Sequence, residues 1–546
     1  MRARQSNRAT VRLIRRITRG IKRMTLAVTV AFVTLALIVT LDALVRNDQG
    51  VGTGFIAFFR TAPRQMGLFA LAAATVLGIG LLLLQVRSSG RFVLGLFFMA
   101  LILRLGWVVW VPTAPISDFE FMFNMAVKAA HGDFSFTEAP YYVRWTYQLP
   151  FTLYEALFVK LFGESTLPLK IMNAIWQSAL AAIVYALGRT LFRDRAGRFG
   201  GLLYALYPSS ISTVSVLSNQ HPADFFFYAA IYLLVTLDRS LGDRGHSVRS
   251  SGWGPAVSAG LALAFGELFR PYGPVVIPLV AFYALFRAAS IRCFAVSPEP
   301  GISASDMRHP DGALRRRFRR PLQVTAVVLI VFWSVVSAAG LVLRTSGVTH
   351  YSLKSHDPYW KFVAGLNPDT GGMYSEDDLR RIQKLPTLQA QLDAEKALVW
   401  ERIRNTDALL PLFWRKFRIL WGSPDAAFWW NHGVDRPALE IGFKAIERAA
   451  FLLVTAFAFV GIVSGLGRKA RHDALPDGLW LLLWIMLGYA AAHLFIEIQV
   501  RYRYFVLPSL TLLAGAGLAE GWVRLRRRFT NGKILKRKAE GKEKSR

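Results

Sequence analysis

The sequence predicts an all-α polytopic membrane protein of about twelve transmembrane helices carrying a small extracytoplasmic cap. Three observations predict it. Of 546 residues, 53% are hydrophobic and 18% charged, more apolar than a soluble globular chain. The apolar residues are segregated into long runs, and a basic excess recurs in alternate loops between them. A net charge of +31 would in a soluble protein point to nucleic acid. Here the runs assign it to topology and anionic-lipid contact, and no nucleic-acid partner is expected. The single cysteine, Cys293, excludes an intrachain disulfide and a cysteine-based zinc site.

Runs of roughly 17–23 apolar residues, enough to cross the hydrocarbon core, occur near 24–45, 66–86, 92–112, 169–192, 199–217, 322–343, 449–467, 478–496 and 504–523. Three shorter ones lie near 223–237, 253–269 and 273–288, where Pro222, Pro255, Pro271, Pro274 and Pro278 blur the boundaries. Residues 1–23 carry nine basic and no acidic side chains, which predicts a cytoplasmic N-terminus. Alternation then gives the cytoplasm Arg87/Arg91, Arg189–Arg198, Arg239/Arg244/Arg249, Arg315–Arg320, Arg468–Arg471 and the basic tail 524–546. Both termini are thus expected on the cytoplasmic side of a plasma membrane. The organisation read is a basic tail 1–23, a membrane domain 24–343 with first outer loop 113–168, a cap 344–448 with a helix near 385–405, and C-terminal spans 449–523.

The candidate chemistry sits in the outer segments. Pro115-Ile116-Ser117-Asp118-Phe119-Glu120 follows directly on a span and sets two carboxylates at the membrane surface. A carboxylate half-desolvated there becomes a better base for an acceptor hydroxyl. Equally, Ser117 is suited to cap a helix with acids in its first turn. Tyr141-Tyr142-Val143-Arg144-Trp145-Thr146-Tyr147-Gln148 reads either as an interfacial aromatic belt or as a sugar or phosphate grip, with Tyr142, Arg144 and Gln148 as candidates. The apolar stretch Phe151–Phe162 after Pro150 is too short to span upright and predicts a helix lying in the interface.

The polar plug Ser218-Asn219-Gln220-His221-Pro222 joins two spans, and Glu267 and Arg270, three residues apart at a helix end, suit either an internal pair or a ligand. The last outer turn carries Arg501 and Arg503; on an extended stretch both would point the same way, towards a phosphate or ordinary headgroups. Arg104, inside an apolar span, is costly and calls for a partner or a function. Lys354, His356 and Asn367 are acceptor-side candidates in the cap. No metal-ligating cluster is read; a divalent cation at a phosphate is left open.

Together these residues resemble the family 39 glycosyltransferases of the C-type membrane superfamily, relatives of the protein O-mannosyltransferases and the lipid A aminoarabinose transferase. The resemblance spans most of 92–523. It rests on Pro115–Glu120 followed by Gly132, on Tyr147-Gln148-Leu149-Pro150 leading to Leu161-Phe162-Gly163, on Phe269-Arg270-Pro271, on Gly365-Leu366-Asn367, and on Arg501-Tyr502-Arg503 before Pro508. It implies a polyprenyl-phosphate-linked sugar as donor and a glycan, lipid or protein acceptor on the outer face. Asp118 then matches the catalytic carboxylate, with Glu120 beside it, and Arg270, Arg501, Arg503 and Arg144 fall on the donor-phosphate side. Tyr142, Gln148, Asn219, His221, Glu267, Lys354 and His356 fall on the sugar and acceptor side. The chain departs from the protein mannosyltransferases in separating its two acids by Phe119, in two additional N-terminal spans, and in lacking an inserted carbohydrate-binding domain. Two other readings stand beside this one: a transporter or flippase of lipid-linked sugars, against which no internal repeat is visible, and a surface-polysaccharide ligase or polymerase sharing the donor chemistry. Oligomeric state is not legible.

Overall fold

The computed structural model describes residues 2–46, 63–242, 253–295, 310–425, 437–468 and 475–543. Among these the chain is helical, with no strand and one isolated bridge, Trp145 to Ser355. The long helices are Arg2–Val45, Pro63–Gln85, Ser89–Trp110, Leu167–Leu191, Gln220–Gly242, Gly254–Phe269, Gly273–Ala295, Pro310–Thr345, Pro437–Arg468, Asp477–Phe495 and Leu507–Glu543. Seven described helices are long and apolar enough to cross a membrane, and Ala73–Gln85 and Gly254–Phe269 are shorter apolar helices. The twelve crossings therefore stay an expectation. Arg244, Arg249, Lys469 and Arg471 lie outside the described residues.

The ends of the helices sort into two faces. At one, Asp477 accepts from Lys22 at 3.3 Å and from Arg287 at 2.5 Å, and Arg287 reaches Asp238 at 2.6 Å. Four helices distant in sequence are thereby tied at the end where the basic N-terminal segment lies. Between the faces, small residues let helices touch: a Cβ on Gly461 would come within 2.4 Å of the Leu513 carbonyl oxygen, so backbone packs on backbone between Pro437–Arg468 and Leu507–Glu543.

The run 199–217 is not one span. It forms Asp194–Ala205, then Pro208–Ser212 and a 3-10 turn Thr213–Ser215, because Pro208 lacks the N–H to continue and restricts Tyr207 to an extended conformation. The break explains Arg104. Its guanidinium donates to the Ala205 carbonyl at 3.3 Å and the Ser210 hydroxyl at 2.9 Å on either side of the interruption, and to the Ala100 carbonyl of its own helix at 3.0 Å.

The cap contains helices Trp360–Gly365, Glu376–Gln383, Leu388–Arg404 and Thr406–Phe417 around Trp360, Val363, Leu366, Ile382 and Val399. The helix expected near 385–405 is Leu388–Arg404, begun by Thr387, whose hydroxyl accepts from Ala390 N–H. The segment ends sooner than read from sequence, since residues to 448 already belong to Pro437–Arg468. Asn367, read as an acceptor contact, is buried and shapes a turn: it donates to Asp378 at 2.7 Å and accepts from Asp369 N–H at 2.8 Å.

Docking of the cap onto the membrane helices is tight. Lys416 donates to the carbonyls of Gly365, Leu494 and Ile496 at 2.7, 2.8 and 2.8 Å. A Cβ on Gly365 would stand 2.2 Å from the Ile496 carbonyl carbon and 2.4 Å from the Phe495 oxygen. Gly365→Ala is therefore expected to unseat the cap, costing about 3 kcal/mol or more because backbone has to move. Limited proteolysis of the cap in detergent, with thermal unfolding, checks this; a protease-resistant Gly365→Ala protein of unchanged unfolding temperature contradicts it.

Candidate active site

The first outer loop leaves its span extended and enters the helix Ser117–Ala130. Ser117 does not act as the side-chain cap expected; the cap position is Ile116, which has no side-chain hydrogen bond, and Ser117 itself takes φ +53°. A non-glycine residue there costs roughly 1–2 kcal/mol, and this bend is what sets Asp118 at the helix start. Asp118 and Glu120 are both exposed, so neither is half-desolvated as the sequence suggested. Two positions apart on a helix, they face different ways. Phe119 between them is buried.

The last outer turn comes to this helix start. Residues Val500–Phe505 form a 3-10 helix, not an extended stretch, which sends Arg501 and Arg503 apart. The Arg501 guanidinium lies 4.9 Å above the Phe119 ring, and its Nε donates to Gln499 Oε1 at 2.6 Å. From the turn after Gly254–Phe269, the Arg270 guanidinium lies 5.1 Å over the Tyr502 ring and donates to Asn219 Oδ1 at 2.9 Å. Asn219 in turn donates to Gln148 Oε1 at 3.1 Å. Tyr502 therefore stands between the two guanidiniums, both of which also face aromatic rings.

Electrostatic coupling closes the circle. The Tyr141 phenol is pushed well up by burial first and then by the charge of Asp118, with Arg501 acting the other way. Asp118 acts also on Tyr374 of the cap, whose phenol is raised to about 12 by burial first and by Glu376 next. The Tyr147 phenol is raised by burial, opposed by Lys361 and Arg270. The candidate site thus groups Gln148, Asn219, Arg270, Arg501 and Tyr502 by contact, and Asp118, Tyr141 and Tyr147, with Lys361 and Tyr374 of the cap, by electrostatic influence. Sequence reasoning passed over Lys361 and the role of the tyrosines. A hydroxyl on each ring of the Tyr-rich stretch was the available signal.

Lys361 pairs with Glu497 at 2.5 Å. Burial raises the Glu497 pKa, but Lys361, Gln499 and Arg501 together outweigh it, and the carboxyl is held below its ordinary value. Stability from this pair is consequently present above the unfolded carboxylate pKa and lost as pH falls through the lower folded one. Acid-range thermal unfolding is expected to show cap loosening that Glu497→Gln makes less dependent on pH; identical pH profiles contradict it.

Several other candidates sit elsewhere. Arg144 is buried and bound to Asp357 at 3.1 Å, to Gln391, and within 3.8 Å of Glu395; burial and then Asp357 raise the Glu395 pKa. Arg144 therefore fastens the first outer loop to the cap instead of holding a donor. Tyr142 is wholly buried, its hydroxyl 2.7 Å from Thr152. His221 is buried with Nε2 2.9 Å from the Thr213 carbonyl, in a polar cavity shared with Gln177, Gln220 and Asp224. Glu267 accepts from Gly273 N–H at 2.6 Å and so caps the next helix, which answers the question of an internal pair with Arg270. Lys354 is exposed, and His356 contacts its own loop through Ser352 at 3.2 Å. Arg503 is buried against Glu447 at 2.9 Å and the Ser423 carbonyl at 2.8 Å, which removes it from any lipid phosphate. Among the described residues no group of three or more His, Cys, Asp or Glu is arranged to hold a metal ion.

Arg501 packed on Phe119, the neighbour of the exposed Asp118, and Arg270 packed on Tyr502 bring two guanidiniums to the segment that carries this carboxylate in a helical protein with membrane-length apolar helices. Residues 150–297, which include Asn219 and Arg270, match the family model of dolichyl-phosphate-mannose-protein mannosyltransferases. This match supports a family 39-like C-type glycosyltransferase, as the residues themselves suggested. A comparison with curated proteins gave no significant match. Among solved structures, the chain is similar to the archaeal oligosaccharyltransferase AglB from Archaeoglobus fulgidus in complex with an inhibitory peptide and a dolichol-phosphate, with 12% identity, TM-score 0.42, and coverage of 82% of this chain and 52% of that one. The chain thus spans about half the length of that protein. It is also similar to ArnT from Cupriavidus metallidurans bound to undecaprenyl phosphate, with 14% identity, TM-score 0.34, and coverage of 79% and 76%.

Proposed function

We propose that the chain is an integral membrane glycosyltransferase that moves a sugar from a polyprenyl-phosphate donor to a glycan, lipid or protein acceptor on the extracytoplasmic face of the plasma membrane. The observation that carries this reading is that Arg501 packs on Phe119, the chain neighbour of Asp118, and Arg270 on Tyr502, the chain neighbour of Arg501, so that three distant segments meet. A phosphate is already a competent leaving group, so one base and a cationic clamp suffice where a glycosidase needs two carboxylates.

In the reaction proposed, the acceptor oxygen attacks the anomeric carbon and gives its proton to the Asp118 carboxylate. The bond from that carbon to the phosphate oxygen breaks with inversion, and the bonding pair leaves on the phosphate. The donor phosphodiester carries one negative charge and the departing monoester a second. Arg270 and Arg501 therefore interact more strongly with the leaving state than with the bound donor, which is the condition for lowering the barrier. In this reading Gln148 contacts the sugar, and Asn219 holds Gln148 against Arg270. The match of residues 150–297 to a family model named for dolichyl-phosphate-mannose supports the donor class.

The test is reconstitution of the purified protein with radiolabelled polyprenyl-phosphate sugars, following release of free polyprenyl phosphate with and without candidate acceptors. Acceptor-stimulated release supports the transferase and names the sugar. Movement of intact lipid-linked sugar between leaflets without release overturns it in favour of a flippase.

A further inference from the structure

Arg501 does not reach its position unaided. Its Nε donates to Gln499 Oε1 at 2.6 Å; the Gln499 amide donates to Glu497 Oε1 at 2.9 Å; and the other oxygen of the same carboxylate, Oε2, accepts from Lys361 Nζ at 2.5 Å. The four side chains form one unbroken line from the cap to the guanidinium. The backbone runs alongside it: Glu497 N–H donates to the Lys361 carbonyl at 2.7 Å, and Ile498 N–H to the Gly372 carbonyl at 2.8 Å. Glu497 is 3% exposed, whereas the Lys361 side chain is 41% exposed, so the line starts at the open roof and ends in the buried clamp.

Resting on the reading of Arg501 as a phosphate ligand, we propose that Lys361, Glu497 and Gln499 are a positioning relay that couples the seating of the cap to the orientation of the Arg501 guanidinium. The chemistry fits that role. By holding Nε at 2.6 Å, Gln499 fixes the plane of the guanidinium. Gln499 can serve both neighbours because its amide donates on one side and accepts on the other, which neither a carboxylate nor a hydrocarbon at that position does. Glu497 pairs with Lys361, so the relay itself adds no net charge beside Arg270 and Arg501. A cap that is unseated breaks the line at Lys361 and frees Arg501 to rotate, so chemistry is favoured only when the acceptor-side roof is in place.

A double-mutant cycle on the full-length reconstituted protein tests this, using the polyprenyl-phosphate sugar that the wild type consumes. Gln499→Leu is expected to lower kcat about ten- to hundredfold, as misplacement of a catalytic contact does, with a smaller change in donor KM. In an Arg501→Ala background the same substitution is expected to change kcat by less than about twofold, because its effect passes through Arg501. Lys361→Met is expected to give a weaker loss, likewise absorbed by Arg501→Ala, and it carries the cycle if Gln499→Leu fails to fold. Equal losses in both backgrounds would mean that these residues serve stability alone and would overturn the relay. The two readings fail separately: a wild type that releases no polyprenyl phosphate sinks the proposed function, whereas an active wild type with additive losses sinks only the relay.

Discussion

Asp118→Asn is expected to abolish sugar transfer while leaving membrane insertion and thermal unfolding unchanged. The side chain is exposed at a helix start, so the change leaves no buried group unsatisfied and costs little stability. Loss of a general base typically lowers rates by about 10²–10⁴-fold, and release of polyprenyl phosphate measures it. The base role has a further signature. With an acceptor whose hydroxyl is more acidic, such as a phenol, proton removal matters less, and the deficit of Asp118→Asn should shrink. A deficit that is constant across acceptors assigns Asp118 to binding instead. Glu120→Gln is expected to stay within about twofold of wild type, since a residue two positions along the helix faces elsewhere. Retention of most activity in Asp118→Asn would remove the site.

The physics of single segments was legible in the sequence; the physics of pairs was not. Pro150 announces the helix Leu149–Phe162, and the 388–404 helix of the cap shows in its composition, because both depend on local signals. Asp118, Arg270 and Arg501 could be shortlisted because charge next to an apolar span is costly wherever it lies. By contrast, Arg144 meets Asp357 213 positions away and Lys361 meets Glu497 136 positions away. No local pattern distinguishes an arginine awaiting a ligand from one already holding a carboxylate. The interruption at Pro208 was missed because the flanking residues are apolar enough to read as one run. The geometry of Arg501 and Arg503 was misread because alternation holds for extended chain, whereas a 3-10 turn of three residues sends positions two apart to different sides.

That misreading turns into the second large effect. Arg503 belongs to a buried network of two arginines and two carboxylates. Glu447 accepts from Arg503 at 2.9 Å, from Arg448 at 2.7 Å and from the Tyr207 hydroxyl at 2.6 Å. Asp425 lies 3.4 Å from Arg503 and accepts from Ser209 and Tyr504, and the second guanidinium also holds the carbonyls of Trp421 and Gly422 at 3.1 and 3.0 Å. Charges balance only while both arginines are present. Arg503→Ala leaves two buried carboxylates facing one cation, and breaking such a pair costs about 3–5 kcal/mol, enough to lower the folded yield and the unfolding temperature sharply. Arg503→Lys is expected to recover little, because one ammonium cannot span Glu447, Asp425 and the Ser423 carbonyl as a planar fork does. Arg501→Ala should do the opposite, leaving unfolding near wild type while lowering kcat/KM by about 10²-fold, as loss of one preorganised donor at a developing charge does. Thermal unfolding in detergent and activity per folded molecule separate the two. An Arg503→Ala protein that unfolds like wild type but binds polyprenyl phosphate weakly would return Arg503 to the clamp and would require the turn to open from its 3-10 form.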